Sequence, residues 1–326
     1  MTQQLTVRHR QVKTNGLSMH IAEAGEGPLV LLLHGFPECW YSWRHQLPAL
    51  AAAGFHAVAP DQRGYGETDA PDEIGAYNIF QVTGDMVGLV DALGAEEAVV
   101  VGHDWGVHVA VQCALLRPDV FRSVALLSVP FSPPTWDDPS PFEQFRSWTP
   151  DGMDFYILYF QEPGPAEAEL EKDLRSTILK FLFGTSGDAT DEGRLQMMFP
   201  KGTGMLDQVV LPDQLPAWLT DDDVQVYVDA FKRSGFRGPL NWYRNMETNR
   251  QQLPFQNGVR LVAPSLFICG AEDPVFTVMK PVIDNLDVGM PNLQDKVIVD
   301  GAGHWVQQER PNEVNEALLT FLRNSL

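Results

Sequence analysis

The chain has 326 residues, 44% of them apolar, and a formal net charge of −20. That length accommodates one domain of about 200–250 residues plus an insertion, and the acidic balance with no basic patch argues against nucleic acid and anionic membranes as partners. No apolar run approaches the roughly 18 residues of a membrane span, Met1-Thr2-Gln3-Gln4-Leu5 lacks a signal pattern, and three scattered cysteines (Cys39, Cys113, Cys269) fit neither a disulfide framework nor a zinc site, so a soluble cytoplasmic protein is expected.

Residues 5–13 and 17–24 alternate weakly around Asn15-Gly16, a strong hairpin turn signal. Residues 29–33 are a continuous apolar run of the kind buried in a parallel sheet, ending at His34-Gly35-Phe36-Pro37. A helix over 41–53 closes at Gly54, and a second buried strand follows over 55–60. In the glycine-rich turn that comes next, Asp61 and Arg63 read as a structural ion pair shaping the loop. Helical spacing over 80–93 then leads to the stretch around which the chain is organised.

That stretch is Glu97-Ala98-Val99-Val100-Val101-Gly102-His103-Asp104-Trp105-Gly106, followed by a helix-like run over 107–116. It is the strand, tight turn and helix of a nucleophile elbow, with the glycines allowing a sharp turn and close approach. Asp104 stands where esterases carry serine, which argues against an ordinary esterase. A carboxylate of reference pKa about 3.9 is ionised without a base, and a helix N-terminus favours it further. It displaces a leaving group from saturated carbon and forms an ester with the enzyme. In the pentapeptide alone, a helix-capping Asp would look the same.

One more strand is expected over 122–128; between 130 and 258 the strand–helix alternation breaks. There Leu170, Leu174, Ile178 and Phe181 mark one face of a helix, and Val224, Tyr227, Val228 and Phe231 that of another. Thr220 caps the second helix, Asp221-Asp222-Asp223 fill its first turn and Lys232-Arg233 its last, before Gly235. The acidic triplet is therefore helix electrostatics, and no metal is assigned to it. Strands resume over 265–269 and 295–300, and an amphipathic helix over 311–322 ends the pattern. The expectation is an α/β fold: a mostly parallel, doubly wound sheet with helices on both faces, its site at the carboxyl ends of the strands. Residues 1–130 and 259–326 form the core, and 131–258 an inserted helical lid that shapes the pocket and excludes water.

The chain order nucleophile, acid, histidine is met at two later strand ends. Gly270-Ala271-Glu272-Asp273-Pro274 supplies the acid, and Gly301-Ala302-Gly303-His304-Trp305 the base. His304 would activate water against the ester, oriented by Asp273, with Glu272 as the rival acid. Of the other histidines, His103 should point the opposite way along its strand and His34 should prop the loop after 29–33. Backbone N–H groups of Trp105 and Phe36 are the expected oxyanion donors. Phe36, Trp105, Phe131, Trp136 and Trp242 are expected to make the pocket apolar.

With these residues in hand, the chain resembles the epoxide hydrolases of the α/β-hydrolase fold, and among them the hydrolase domain of the mammalian soluble enzymes. The resemblance rests on residues 34–38, 102–106 and 303–305, and more specifically on two lid motifs, 158–164 and 235–243. It implies two lid tyrosines, Tyr156 and Tyr243, that donate hydrogen bonds to the epoxide oxygen; a phenol of pKa near 10 is protonated at neutral pH. Tyr159 and Tyr227 are neighbours of those positions. One departure is Val107, where many relatives have a small residue. The implied reaction turns a small apolar epoxide and water into a vicinal diol without cofactor or metal, a step in detoxification. A haloalkane or haloacid dehalogenase uses the same Asp, His and acid but has no use for two tyrosines. A non-catalytic ligand-binding relative would be expected to have lost a member of the triad.

Overall fold

The computed structural model describes residues 6–325; the N-terminal pentapeptide, including the first residue of the expected opening strand, lies outside them. In the core the strands are β1 (Arg8–Thr14), β2 (Leu17–Ala24), β3 (Leu29–Leu33), β4 (His56–Pro60), β5 (Ala98–His103) and β6 (Phe121–Leu127). A short pair, β7 (Met153–Phe155) and β8 (Met198–Pro200), precedes β9 (Ser265–Gly270) and β10 (Leu293–Val299). Eight strands form one sheet in the order β1-β2-β4-β3-β5-β6-β9-β10. Among the described residues of this sheet the β1–β2 and β2–β4 pairings are antiparallel and the others parallel, and the separate β7–β8 pair is antiparallel. Asn15 and Gly16, with φ of 43° and 81°, make the tight β1–β2 turn, since its twist needs two positive φ values in succession.

The core helices are α1 (Gln46–Ala52), α2 (Ile79–Ala92) and α3 (Trp105–Leu116). The segment between β6 and β9 carries α4 (Pro141–Trp148), α5 (Tyr156–Tyr159), α6 (Pro165–Leu170), α7 (Leu174–Gly184), α8 (Asp221–Ser234), α9 (Arg237–Arg244) and α10 (Met246–Gln252). The chain finishes with α11 (Pro274–Asp284), α12 (Leu286–Gly289), α13 (Val306–Glu309) and α14 (Pro311–Ser325).

Alternation along the buried strands divides the core into two apolar layers. Val30, Leu32, Val99 and Val101 pack with Leu47 and Leu50 of α1 and with Val314, Leu318, Phe321 and Leu322 of α14. Leu31, Leu33, Val100 and Val124 face the other way, onto Val82, Met86 and Leu89 of α2 and Val109 and Cys113 of α3. Burial on both faces is why β3 reads as an unbroken apolar run. Register places Leu33 beside Gly102, His103 beside Leu127 and Leu127 beside Ile268, so the strands end together on one edge.

Several local expectations are corrected. The helix expected over 41–53 is a 3-10 turn, Trp40–Trp43, followed by α1, because Pro48 has no N–H for the Arg44 carbonyl and its ring crowds it. Leu170 and Leu174 belong to two helices rather than one. Asp173 turns extended between them, and its carboxylate accepts from the Ser176 N–H at 3.1 Å, capping α7. Asp61 and Arg63 do not pair with each other. Arg63 forks onto Asp85 of α2 at 2.6 and 2.8 Å, and Asp61 meets His20 at 2.8 Å and the Trp40 N–H at 2.9 Å. The two side chains, two residues apart in a loop, leave toward different walls. In α8 the Thr220 capping box, the acidic first turn and the basic last turn are all present as expected.

Candidate active site

Asp104 sits between β5 and α3 with φ of 50° and ψ of −118°, a strained conformation for a residue other than glycine. The turn closes only because Gly106 lacks a side chain: a Cβ there would lie 2.1 Å from the Leu33 carbonyl oxygen. Asp104 does not cap the helix with its side chain. Its Oδ1 instead accepts from the Phe36 N–H at 2.8 Å, which brings the loop after β3 over the elbow. That approach depends on Gly35, where a Cβ would lie 2.4 Å from both Cβ and Oδ1 of Asp104.

Across from Asp104, His304 Nε2 stands 3.7 Å from Oδ2. On the far side of the imidazole, Nδ1 lies 3.2 and 3.3 Å from the two oxygens of Asp273. Asp273 is fully buried at the start of α11, and Oδ1 also accepts from the Val275 N–H at 2.8 Å. The rival acid, Glu272, is exposed and makes no hydrogen bond with His304 among the described residues. Burial by itself would lower the His304 pKa, but the adjoining Asp273 charge and hydrogen bond, with Asp104 opposite, push it up to about 9. Asp273 is held below the usual carboxylate range: burial opposes this, and the neighbouring His304 outweighs it.

Tyr156, at the start of α5, and Tyr243, in α9, line the same cavity as Asp104, His304 and Asp273. Their rings are 6.2 Å apart and perpendicular. Both phenols are pushed above their ordinary pKa by burial first and the Asp104 charge second, so they are protonated donors. Of the two neighbouring tyrosines, Tyr159 bonds Glu169 and Tyr227 bonds Gln308, so both hydroxyls are committed elsewhere.

The apolar wall differs from the expected one. Phe36 lines the cavity, joined by Phe181, Leu195, Met197, Met205 and Val275. Trp105, Phe131, Trp136 and Trp242 do not. Trp105 packs edge-on to Tyr243 at 4.9 Å, Trp242 donates to the Arg63 carbonyl at 3.1 Å, and Trp136 lies under Arg250 at 4.9 Å. Phe131 is buried in the core. Trp105, Trp136 and Trp242 each engage a partner that composition does not reveal.

Beneath the site, His34 Nδ1 bonds the Gly35 carbonyl and its Nε2 accepts from the Gln62 N–H, bracing the loop that carries Phe36. His103 does not line the cavity; it lies between Glu38 Oε2 and the His304 carbonyl, at 2.7 Å from each. Sequence reasoning passed over Glu38, Ser128 and Glu309. Glu309 accepts from the Gly303 and Trp305 N–H groups on either side of His304, and from Gly187 of the segment between β6 and β9. None of the three carried a sequence signal: Ser128 follows a strand that is set beside the strand leading to Asp273 only when the sheet is assembled.

A family model described as alpha/beta hydrolase fold matches residues 28–164. Epoxide hydrolase A of Mycobacterium tuberculosis is 46% identical over 315 residues, 96% of each chain. Bifunctional epoxide hydrolase 2 of Sus scrofa is 42% identical over 310 residues, 94% of this chain and 53% of that one. The solved structure of an epoxide hydrolase from an endophytic Streptomyces matches with a TM-score of 0.93 at 47% identity, covering 98% of this chain and 97% of that one.

Proposed function

Because the chain belongs to the epoxide hydrolases of the α/β-hydrolase fold, we propose that it turns epoxides into vicinal diols through an ester formed on Asp104. The two chemical steps divide among five side chains and two backbone donors. Asp104 Oδ2 attacks an epoxide carbon, the ring C–O bond breaks, and the oxygen takes a proton from Tyr156 or Tyr243. Water then adds to Cγ of the ester while His304 Nε2 takes its proton, and Asp273 stabilises the imidazolium. The N–H groups of Phe36 and Trp105 receive the negative charge on the carbonyl oxygen. When the intermediate collapses, the departing oxygen takes the proton of the carboxyl group regenerated on Asp104 and leaves as the diol, and His304 passes its proton to the tyrosinate. Epoxide and water are consumed and one diol is made, with no cofactor or metal required.

The observation that carries this reading is the meeting of four groups in one cavity. Asp104 is anchored by Phe36, faces His304 at 3.7 Å, and shares its walls with two protonated phenols. Two O–H donors in the cavity wall suit an oxygen that develops charge while it stays on the substrate. The cavity, about 90 Å³, is well below the roughly 300–1,000 Å³ of drug-sized sites, and its wall beyond the triad and the two tyrosines is mostly apolar, with Thr185 and Gln196 as the polar members. Both features favour a small apolar epoxide. Residues 131–258 act as the lid that carries both tyrosines. Three buried free cysteines fit the reducing cytoplasm, and removal of reactive epoxides is the role that matches an apolar site.

The test pairs aryl and alkyl epoxides with matched bromoalkanes and scores diol and bromide. Diol without bromide is expected. Bromide without diol would remove the tyrosines from the mechanism.

A further inference from the structure

Ser128 follows β6 directly and is fully buried, with φ of 72°. The Val129 N–H donates to the Leu127 carbonyl at 2.9 Å, so Ser128 is the central residue of a three-residue turn with positive φ, a rare and strained form. Surrounding strands impose that turn. The Ser128 N–H donates to the Ile268 carbonyl of β9 at 2.8 Å, and the Leu127 carbonyl also takes the Asp104 N–H at 3.4 Å. The strained turn therefore hangs between the strand that presents Asp104 and the strand that leads to Asp273.

Its hydroxyl lies among the atoms that orient the imidazole. Oγ donates to Asp273 Oδ2 at 2.6 Å and lies 3.0 Å from His304 Nδ1, nearer than either Asp273 oxygen. A hydroxyl has one proton and two lone pairs, so donation to Asp273 leaves it able to accept from Nδ1–H. Asp273 Oδ1 is already taken by the Val275 N–H. Both carboxylate oxygens thus have donors besides His304, and Nδ1–H has three acceptor oxygens within 3.3 Å, one from Ser128 and two from Asp273.

We propose that Ser128 is a positioning residue for ester hydrolysis, whose hydroxyl shares Asp273 with His304, fixes the Nδ1–H tautomer, and keeps Nε2 available to take a proton from water. The inference rests on the roles proposed for Asp273 and His304. The hydroxyl draws charge from Oδ2, one of the two carboxylate oxygens that face the imidazole; without it, Asp273 would bind the imidazolium more strongly and make His304 harder to deprotonate. In the proposed ring opening Asp104 attacks with no base to activate it, so that step does not depend on Ser128.

The experiment follows the two chemical steps in Ser128→Ala and Ser128→Gly by rapid quenching, with intact-protein mass spectrometry reading the ester. A lost hydrogen bond to a charged group corresponds to a slowing of about tenfold or more. The expected result is that slowing of ester hydrolysis in both variants, with ester formation within about twofold of the parent. Ester accumulates, and the pH at half-maximal hydrolysis moves upward. Glycine tolerates the positive φ, so Ser128→Gly carries the test if the alanine variant fails to fold. Ester hydrolysis at the parent rate in Ser128→Gly, or an unmoved or lowered half-maximum, overturns the proposal. His304→Ala is run beside them: if it still hydrolyses the ester, the role given to His304 fails, an outcome distinct from wild-type hydrolysis by Ser128→Gly alone.

Discussion

The two oxygens of Asp104 are unequal: the Phe36 N–H holds Oδ1 at 2.8 Å, while Oδ2 faces His304 Nε2 across 3.7 Å. The anchored oxygen is placed to become the ester carbonyl and the free one to attack. A single turnover in heavy-oxygen water should leave the heavy atom in Asp104 and ordinary oxygen in the first diol, because the diol departs with Oδ2. Mass spectrometry of diol and protein reads both. Heavy oxygen in the first diol would mean direct attack by water and would remove the covalent step.

The same opposition of charges sets a pH dependence. His304 is raised from its ordinary 6.5 to about 9, Asp273 and Asp104 outweighing the lowering by burial. Forming the ester removes the Asp104 charge, so His304 should release its proton more easily in the intermediate. Ester hydrolysis should then rise with pH to a half-maximum below 9, while an NMR titration of the free enzyme reports His304 near 9. A group with a raised folded-state pKa stabilises the fold fully below its unfolded value. That contribution is lost as pH climbs through the folded one. The His304 share of stability should therefore fall between 6.5 and about 9, and Asp104→Asn should move the fall to lower pH in urea unfolding.

Tyr156 and Tyr243 face the cavity with their phenols kept protonated by burial and by Asp104. Tyr→Phe at either position should slow ester formation, and the double variant should lose about 10²–10⁴-fold. Ester formed before the exchange of solvent should still break down, since water attack uses His304. A double variant with the parent burst rate would return both residues to packing.

Gly35→Ala puts a methyl group 2.4 Å from the Asp104 side chain. Either the loop carrying Phe36 or the carboxylate must move, and a shift of about 1 Å at the nucleophile costs roughly 100-fold in rate. We expect that loss of kcat/KM with a folded protein by circular dichroism; a fully active alanine variant would show that the Phe36–Asp104 bond is dispensable.

Arg63 and Asp85 form a bidentate pair, almost fully buried, between the loop after β4 and α2. Asp85→Ala strands a buried guanidinium and should cost about 3–5 kcal/mol in urea unfolding, whereas an apolar replacement of both should cost much less. Equal losses in the two variants would place the energy in packing around α2.

The sequence by itself determined what is local. Periodicity and turn chemistry located the β1–β2 hairpin, the buried strands, α8 with its Thr220 cap, and the elbow at Asp104, because each depends on neighbours within a few residues. Strand ends are also local, so Asp273 and His304 were legible as groups delivered to one edge of the sheet. What only the tertiary structure decided is which side chains meet across long stretches of chain. Arg63 turned from Asp61 to Asp85 because a buried charge takes the best-placed partner in space. Trp105, Phe131, Trp136 and Trp242 left the cavity wall, and Phe181, Met197 and Met205 took their place, since the direction each side chain takes is set by packing rather than by composition. Ser128, buried in a strained turn between two strands of the site, has no sequence pattern that announces it: its hydroxyl matters only because β5, β6 and β9 end together.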